Sequence, residues 1–130
     1  MREKELVFVY GTLKFGFSNS GFLLNSQIIG RGETKQNYAL YQAELPYLLN
    51  DKEHKVKGEV YNVNEETLFY LDMLEGHPYL YTRKKIKILT EKGKTLNCWT
   101  YFFNQPKRNH WQLTDGEYKL NNNKYKSLWQ

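Results

Sequence analysis

Two places in this chain combine residue types that can do chemistry. The first is Glu75, which ends an apolar-patterned stretch and is followed directly by Gly76. At roughly 100° per residue, positions 68, 71, 72 and 75 share one stripe of a helix. Leu68 and Leu71 mark the apolar side, and Glu75 falls roughly 20° from Leu68 around the axis. Either the carboxyl group is drawn toward the core, or the last turn frays and it reaches solvent. In the first case, loss of water disfavours the charged form and raises the pKa. A carboxyl group tuned in this way can take and return a proton near neutral pH. Asp72 shares the stripe and suits a packing or hydrogen-bonding role.

The second place is Tyr10-Gly11-Thr12-Leu13, which follows the apolar run Leu6 to Val9. Gly11 lets a chain leave a buried strand sharply. Backbone N–H groups released from a sheet ladder there can form a nest for a carboxylate or an oxyanion, and Thr12 adds a hydroxyl. The other reading is an ordinary strand-ending turn. No Gly-Lys-Ser/Thr follows at phosphate-loop spacing.

Other chemistries lack their residues. Cys98 is the one cysteine, which excludes an internal disulfide and a multi-cysteine zinc site. It lies in an apolar run and reads as a buried, inert thiol. His54, His77 and His110 show no metal-ligand spacing, so surface or structural roles are expected, with no metal and no cofactor. Ser18, Ser20, Ser26 and Ser127 lie in no Gly-x-Ser-x-Gly elbow. Tyr79 and Tyr81 alternate after Pro78, which places both on one strand face near Glu75, as pocket wall or as plain packing.

The elements that must position these residues follow from patterning. Glu5 to Tyr10 is expected as a buried central strand. Gly11 to Asn19 reads as loop and Ser20 to Asn25 as a short helix. Ile28 to Glu44 holds about two strands, one including Tyr38 to Tyr41, and Pro46 to Leu49 suits a short edge segment. Lys55 to Val63 is a strand. Asn64 is an N-cap, with Glu65 and Glu66 at the positive end of a helix that runs to Glu75 and stops at Gly76, before Pro78. Tyr79 to Thr90 and Thr95 to Asn104 form a hairpin around Glu91 to Lys94. Residues 105–130 read as a polar, surface-running tail partly anchored by aromatics, with turn signals at Asp115-Gly116 and at Asn121 to Asn123. The order predicts an α+β fold: a small mixed, curled or barrel-like sheet with one main helix.

A length of 130 residues fits one domain with its own core, and 16% aromatic residues argue against disorder. No apolar stretch approaches the ~20 residues of a membrane span, and the N-terminus lacks a signal-peptide core, so a cytoplasmic location is expected by default. The net charge of +5 gathers in Arg83 to Lys87 and between Lys107 and Lys126. Lys85 and Lys87 alternate with Ile86 and Ile88, which is the pattern of a solvated strand face rather than a nucleic-acid patch.

The segment Leu6 to Lys14 resembles the N-terminal signature of the gamma-glutamylcyclotransferase-like superfamily. Phe69 to Arg83 is similar to its catalytic segment, in which a Glu-Gly pair closes a helix and a Tyr-x-Arg follows. Gly58 to Val63 is similar to the family's Gly-x-Val-Tyr strand, and Pro46 to Leu49 and Thr100 to Phe103 fall where it has comparable segments. The likeness spans about residues 5 to 104 and is similar to the gamma-glutamylamine cyclotransferase branch. It implies a small barrel-like fold and release of 5-oxoproline from a gamma-glutamyl compound without cofactor. Glu75 would be the catalytic acid/base, and Tyr10, Gly11, Thr12 and Leu13 the substrate cradle. Phe15 departs from the family, which often has a basic residue there. The alternative is a non-catalytic module on the same fold that binds a small metabolite or a protein.

Overall fold

The apolar run near the N-terminus forms β1 (Glu5–Val9), and both of its faces are covered. Phe8 joins Val60, Ile86, Ile88 and Cys98 in one cluster; Val7 and Val9 join Tyr61, Val63, Leu68 and Leu71 in another. A strand covered on both sides reads as a continuous apolar run rather than an alternation.

The computed structural model describes residues 5–43, 45–105 and 111–119. After β1 come a single 3-10 turn (Ser20–Leu23), β2 (Gln27–Thr34), β3 (Tyr38–Gln42), β4 (Pro46–His54) and β5 (Lys57–Val63). Then follow α1 (Glu65–Glu75), β6 (Tyr81–Thr90), β7 (Thr95–Phe103) and β8 (Trp111–Gln112). Five strands close a barrel in the order β1-β5-β2-β6-β7, and β4, β3 and β8 form a second sheet. The barrel is mixed: β1 pairs antiparallel with β5 and parallel with β7, through Val7 and Trp99. Leu40 and Leu48 of the second sheet complete the first apolar cluster. The α+β architecture with a barrel-like sheet and one main helix is therefore observed. No described helix is long and apolar enough to cross a membrane.

The helix has the expected bounds, and its caps explain them. The Asn64 side chain accepts the Thr67 N–H at 2.8 Å, with Glu65 and Glu66 in the first turn. At the other end Gly76 takes the left-handed conformation (φ 65°, ψ 35°), and His77 N–H reaches back to the Asp72 carbonyl at 2.9 Å. Leu68 and Leu71 are buried. On β6, Ile86 and Ile88 are buried while Lys85 and Lys87 face solvent, as the alternation requires. The hairpin at Glu91 to Lys94 closes with Thr90 N–H donating to the Lys94 carbonyl at 2.8 Å.

Several segments differ from the sequence pattern. Tyr79 is not on a strand with Tyr81. The Gly76 carbonyl gathers the N–H groups of Tyr79 and Leu80, and the Asn104 side chain holds the Pro78 and Tyr79 carbonyls, so the chain turns there. Tyr79 is 84% exposed. The segment at Pro46 is an edge strand but runs to His54. The expected helix after Ser20 is one 3-10 turn that buries only Leu23. The tail is not confined to the surface: Leu113 and Tyr118 enter the first cluster, Leu113 N–H donates to the Leu40 carbonyl, and Lys57 N–H to the Gly116 carbonyl. Gly116 has φ +74°, and a Cβ there would lie 1.9 Å from the Lys55 carbonyl oxygen. The turn signal at Asp115-Gly116 thus marks a packed corner. His110, most of the second basic stretch and Asn121 to Asn123 lie outside the described residues.

Gly58 sets how closely β5 approaches β1. A Cβ there would stand 2.3 Å from the Val9 carbonyl oxygen and 2.8 Å from the Phe8 ring. Gly58→Ala is expected to cost about 1–3 kcal/mol of stability through overpacking. Asn64→Ala should cost about 1 kcal/mol through the lost cap. Urea unfolding of both variants checks the order of the two effects.

Candidate active site

The structure brings the two sequence candidates into one pocket. The end of β1 and the loop after it supply Tyr10 to Leu13, the last turn of α1 supplies Glu75, and Tyr81 and Tyr101 come from β6 and β7. Leu45, Pro46 and Leu74 also line the pocket.

Glu75 is half-buried, and no described residue hydrogen-bonds or ion-pairs with its carboxyl group. Burial alone pushes its pKa up to about 7. The last turn does not fray, because the Gly76 cap holds it. The charge of Glu75 is felt by Tyr10, Tyr81 and Tyr101, whose phenols are raised chiefly by burial and so stay protonated at neutral pH. A buried carboxyl group of this kind can accept a proton and give it back near pH 7.

The loop presents main chain rather than side chains. Leu13 is buried against Leu23, and the Tyr10 hydroxyl donates to the Tyr101 carbonyl at 2.8 Å. Lys14 N–H donates to the Gly11 carbonyl, closing a tight turn. Among the described residues, the N–H groups of Gly11, Thr12 and Leu13 donate to nothing. The need for glycine at 11 differs from the sequence argument: its φ is not left-handed, but a Cβ would meet Pro46 Cγ at 2.7 Å. The loop is braced by several side chains, of which Asn19 also lines the pocket. Asn19 donates its side-chain amide to the Thr12 hydroxyl and its N–H to the Thr12 carbonyl, each at 2.8 Å. Glu59 accepts the Phe15 N–H at 2.8 Å, and the buried Lys14 ammonium donates to the Tyr118 carbonyl. Phe15 itself is 79% exposed and is not part of the pocket lining.

Asp72 has the hydrogen-bonding role considered from the sequence. Its carboxylate accepts from the Arg83 guanidinium at 2.9 and 3.1 Å and from the Tyr101 hydroxyl at 2.6 Å. His77 accepts the Arg83 N–H through Nδ1 at 3.0 Å, and His54 bonds the main chain at Leu40 and Lys55. Cys98 is fully buried, and its thiol is pushed up to about 12. No described group of three or more His, Cys, Asp or Glu side chains is placed to hold a metal ion. Of the Tyr79 and Tyr81 pair, only Tyr81 lines the pocket. Sequence reasoning missed Asn19, which carries no signal beyond being a polar loop residue. It also gave no role to Tyr101, although Tyr101 falls inside a segment that resembles the family.

Comparison with known proteins bears on the same region. Residues 7–120 match the family model described as gamma-glutamyl cyclotransferase, AIG2-like. The chain is 45% identical over 117 residues to a Methanocaldococcus jannaschii protein provisionally named a gamma-glutamylcyclotransferase, covering 88% of this chain and 96% of that one. It is 39% identical over 106 residues to the gamma-glutamylaminecyclotransferase of Bos taurus, covering 73% and 63% of the two chains. The crystal structure of an AIG2-like protein from Mus musculus has a TM-score of 0.77 at 32% identity, over 82% of this chain and 81% of that one. With the barrel, the capped helix and the shared pocket in place, the match over residues 7–120 shows that this chain belongs to the gamma-glutamyl cyclotransferase, AIG2-like family.

Proposed function

We propose that this chain is a gamma-glutamylamine cyclotransferase, which converts a γ-glutamyl amine into 5-oxoproline and the free amine. The observation that carries this reading is that the Glu75 carboxyl group and the N–H groups of Gly11, Thr12 and Leu13, none of which has a hydrogen-bond partner among the described residues, share one pocket. The substrate's own α-nitrogen is the nucleophile. Its bond to the γ-carbon forms, closing a five-membered ring, and the γ-carbon's bond to the departing nitrogen breaks. The α-nitrogen loses two protons and the departing amine gains two, leaving as an ammonium. Glu75 relays both in turn, taking each proton from the α-nitrogen and returning it to the departing nitrogen. The amides of Gly11 to Leu13 hold the glutamyl end and meet charge that develops on the γ-oxygen; a single oxyanion donor is worth about 2.7–4 kcal/mol. Orientation contributes more, up to ~7–11 kcal/mol, because the attack is intramolecular.

The choice of an amine as leaving group has support from the lining of the pocket. Leu45, Pro46 and Leu74 are apolar, and no Lys or Arg is among the described lining residues. A leaving group that carries a carboxylate next to its nitrogen would lack a cationic partner there. An alkylamine, or the side-chain nitrogen of a lysine, would not need one. The named bovine relative points to the same class.

Glu75→Gln is expected to keep the fold and lower the rate of 5-oxoproline release by about 10²–10⁴. A variant that turned over γ-glutamyl alkylamines at the wild-type rate would falsify the assigned role. In the wild type, kcat/KM should rise with pH through a midpoint near 7, because Glu75 must be ionised to accept the proton; a midpoint near the ordinary carboxylate range contradicts the reading. The linkage sign is also testable. A carboxyl group whose folded-state pKa is raised holds its proton longer in the folded protein than in the unfolded one. The wild type should therefore lose stability relative to Glu75→Gln as pH rises from about 4.5 to about 7. Thermal unfolding of the pair at pH 5 and pH 8 reads this difference. Across substrates, γ-glutamyl alkylamines should release 5-oxoproline faster than γ-glutamyl-α-amino acids or glutathione.

A further inference from the structure

Asp72 lies one helical turn before Glu75, and its carboxylate is held on both oxygens. Arg83 donates Nε to Oδ1 at 2.9 Å and Nη2 to Oδ2 at 3.1 Å, a bidentate pair. Arg83 is fixed in turn. Its guanidinium carbon lies 4.1 Å from the centroid of the Trp99 ring, and the Trp99 indole N–H is tied to Glu5 at 2.7 Å. Its backbone N–H goes to His77, whose own N–H returns to the Asp72 carbonyl. The cycle Asp72, His77 and Arg83 closes on itself across the turn that follows α1.

The third bond to this carboxylate comes from Tyr101, at 2.6 Å. An ionised carboxylate paired with a guanidinium has no proton to give, so the Tyr101 hydroxyl is the donor. A phenol carries one proton. With that proton committed to Asp72, the hydroxyl has only lone pairs left for the pocket that Tyr101 and Glu75 both line. A free phenol could have donated to a substrate carboxylate or carbonyl; this one is limited to accepting.

Resting on the reaction assigned above, we propose that the Asp72–Arg83 pair is a positioning device: it fixes Tyr101 as a hydrogen-bond acceptor, so that Tyr101 and Glu75 together grip the α-amino group of the substrate. An α-ammonium offers three N–H bonds. Glu75 takes one proton, Tyr101 retains a second N–H, and the amine turns about that retained bond until its uncovered lone pair meets the γ-carbonyl held over the loop amides. Neither Asp72 nor Arg83 touches substrate in this scheme; they act through Tyr101.

The test separates this claim from the reaction itself. Binding is measured by calorimetry in the Glu75→Gln background, where turnover does not interfere. The two probes are a γ-glutamyl alkylamide and the glutaryl alkylamide that lacks only the α-amino group. Adding Tyr101→Phe should weaken the γ-glutamyl probe by about tenfold to a hundredfold, the worth of one hydrogen bond to a charged group, and leave the glutaryl probe within about twofold by the same reasoning. Asp72→Asn should act in the same direction, and should have no further effect once Tyr101→Phe is present. If Asp72→Asn does not fold, Arg83→Lys, which keeps the charge but not the fork, takes its place with the same expected result. Equal weakening of both probes, or a full Asp72→Asn effect in the Tyr101→Phe background, overturns the proposal. Absence of 5-oxoproline release by the wild type counts against the reaction, while the comparison of probes still reads the Tyr101 contact.

Discussion

Withholding water from the Glu75 carboxyl group is the constraint around which the pocket is arranged. The residue gains no ion pair and no hydrogen bond from the described protein, so its raised pKa comes from burial alone. Three elements impose that burial. Leu68 and Leu71 seat α1 on the outer face of β1, which sends the same helical stripe, and therefore Glu75, toward the strand's exit. The left-handed Gly76 cap keeps the last turn wound and so fixes the backbone that carries the side chain. Tyr81 and Tyr101 wall the remaining side with phenols that are themselves kept neutral by burial. An ionisable group held in this way weakens the fold at neutral pH, which is the usual relation between a working site and its scaffold.

The surrounding charges are placed to leave that arrangement undisturbed. A cation beside Glu75 would favour its ionised form and draw its pKa down. Lys14 directly follows the loop, yet its ammonium is turned behind it to the Tyr118 carbonyl, near the Phe17 ring and under the influence of Glu59 and Glu117. Arg83 comes from the strand next to the pocket, yet Asp72 occupies its guanidinium. The loop therefore offers neutral amide donors, while Lys14 and Arg83 are engaged elsewhere. Such donors hold an anionic or polarised oxygen without supplying a counter-charge to the carboxyl group opposite.

Much of this was legible in the residues. The bounds of α1 were set by local rules, with an Asn cap, acidic first turn and terminal Gly, and such rules survive any tertiary context. The continuous apolar run of β1 and the alternation of β6 gave the burial of each strand. The position of Glu75 followed from helical arithmetic that the packing then respected. What was not legible depended on partners distant in sequence. Tyr79 looked like strand because its alternation with Tyr81 was real, but Asn104 captures the carbonyls beside it. Gly11 was correctly singled out for the wrong reason: Pro46, not its own backbone angle, excludes a side chain. The core residues Leu113 and Tyr118 sit in a polar stretch with no periodicity to announce them, and Asn19 acts through a bond that no motif encodes.

The parallel seam between β1 and β7 has a consequence for how the protein is made. The Thr100 hydroxyl bonds the Phe8 carbonyl across 92 positions in sequence, and Val7 pairs with Trp99. The strand that carries the loop is therefore synthesised long before β7, one of its two barrel neighbours. Contacts of such long range are slow to form, since the intervening chain must be ordered before they reward closure. Until β7 arrives, one edge of a strongly apolar strand stands open to strands of other molecules. Assembly of the pocket and protection of that edge are the same event.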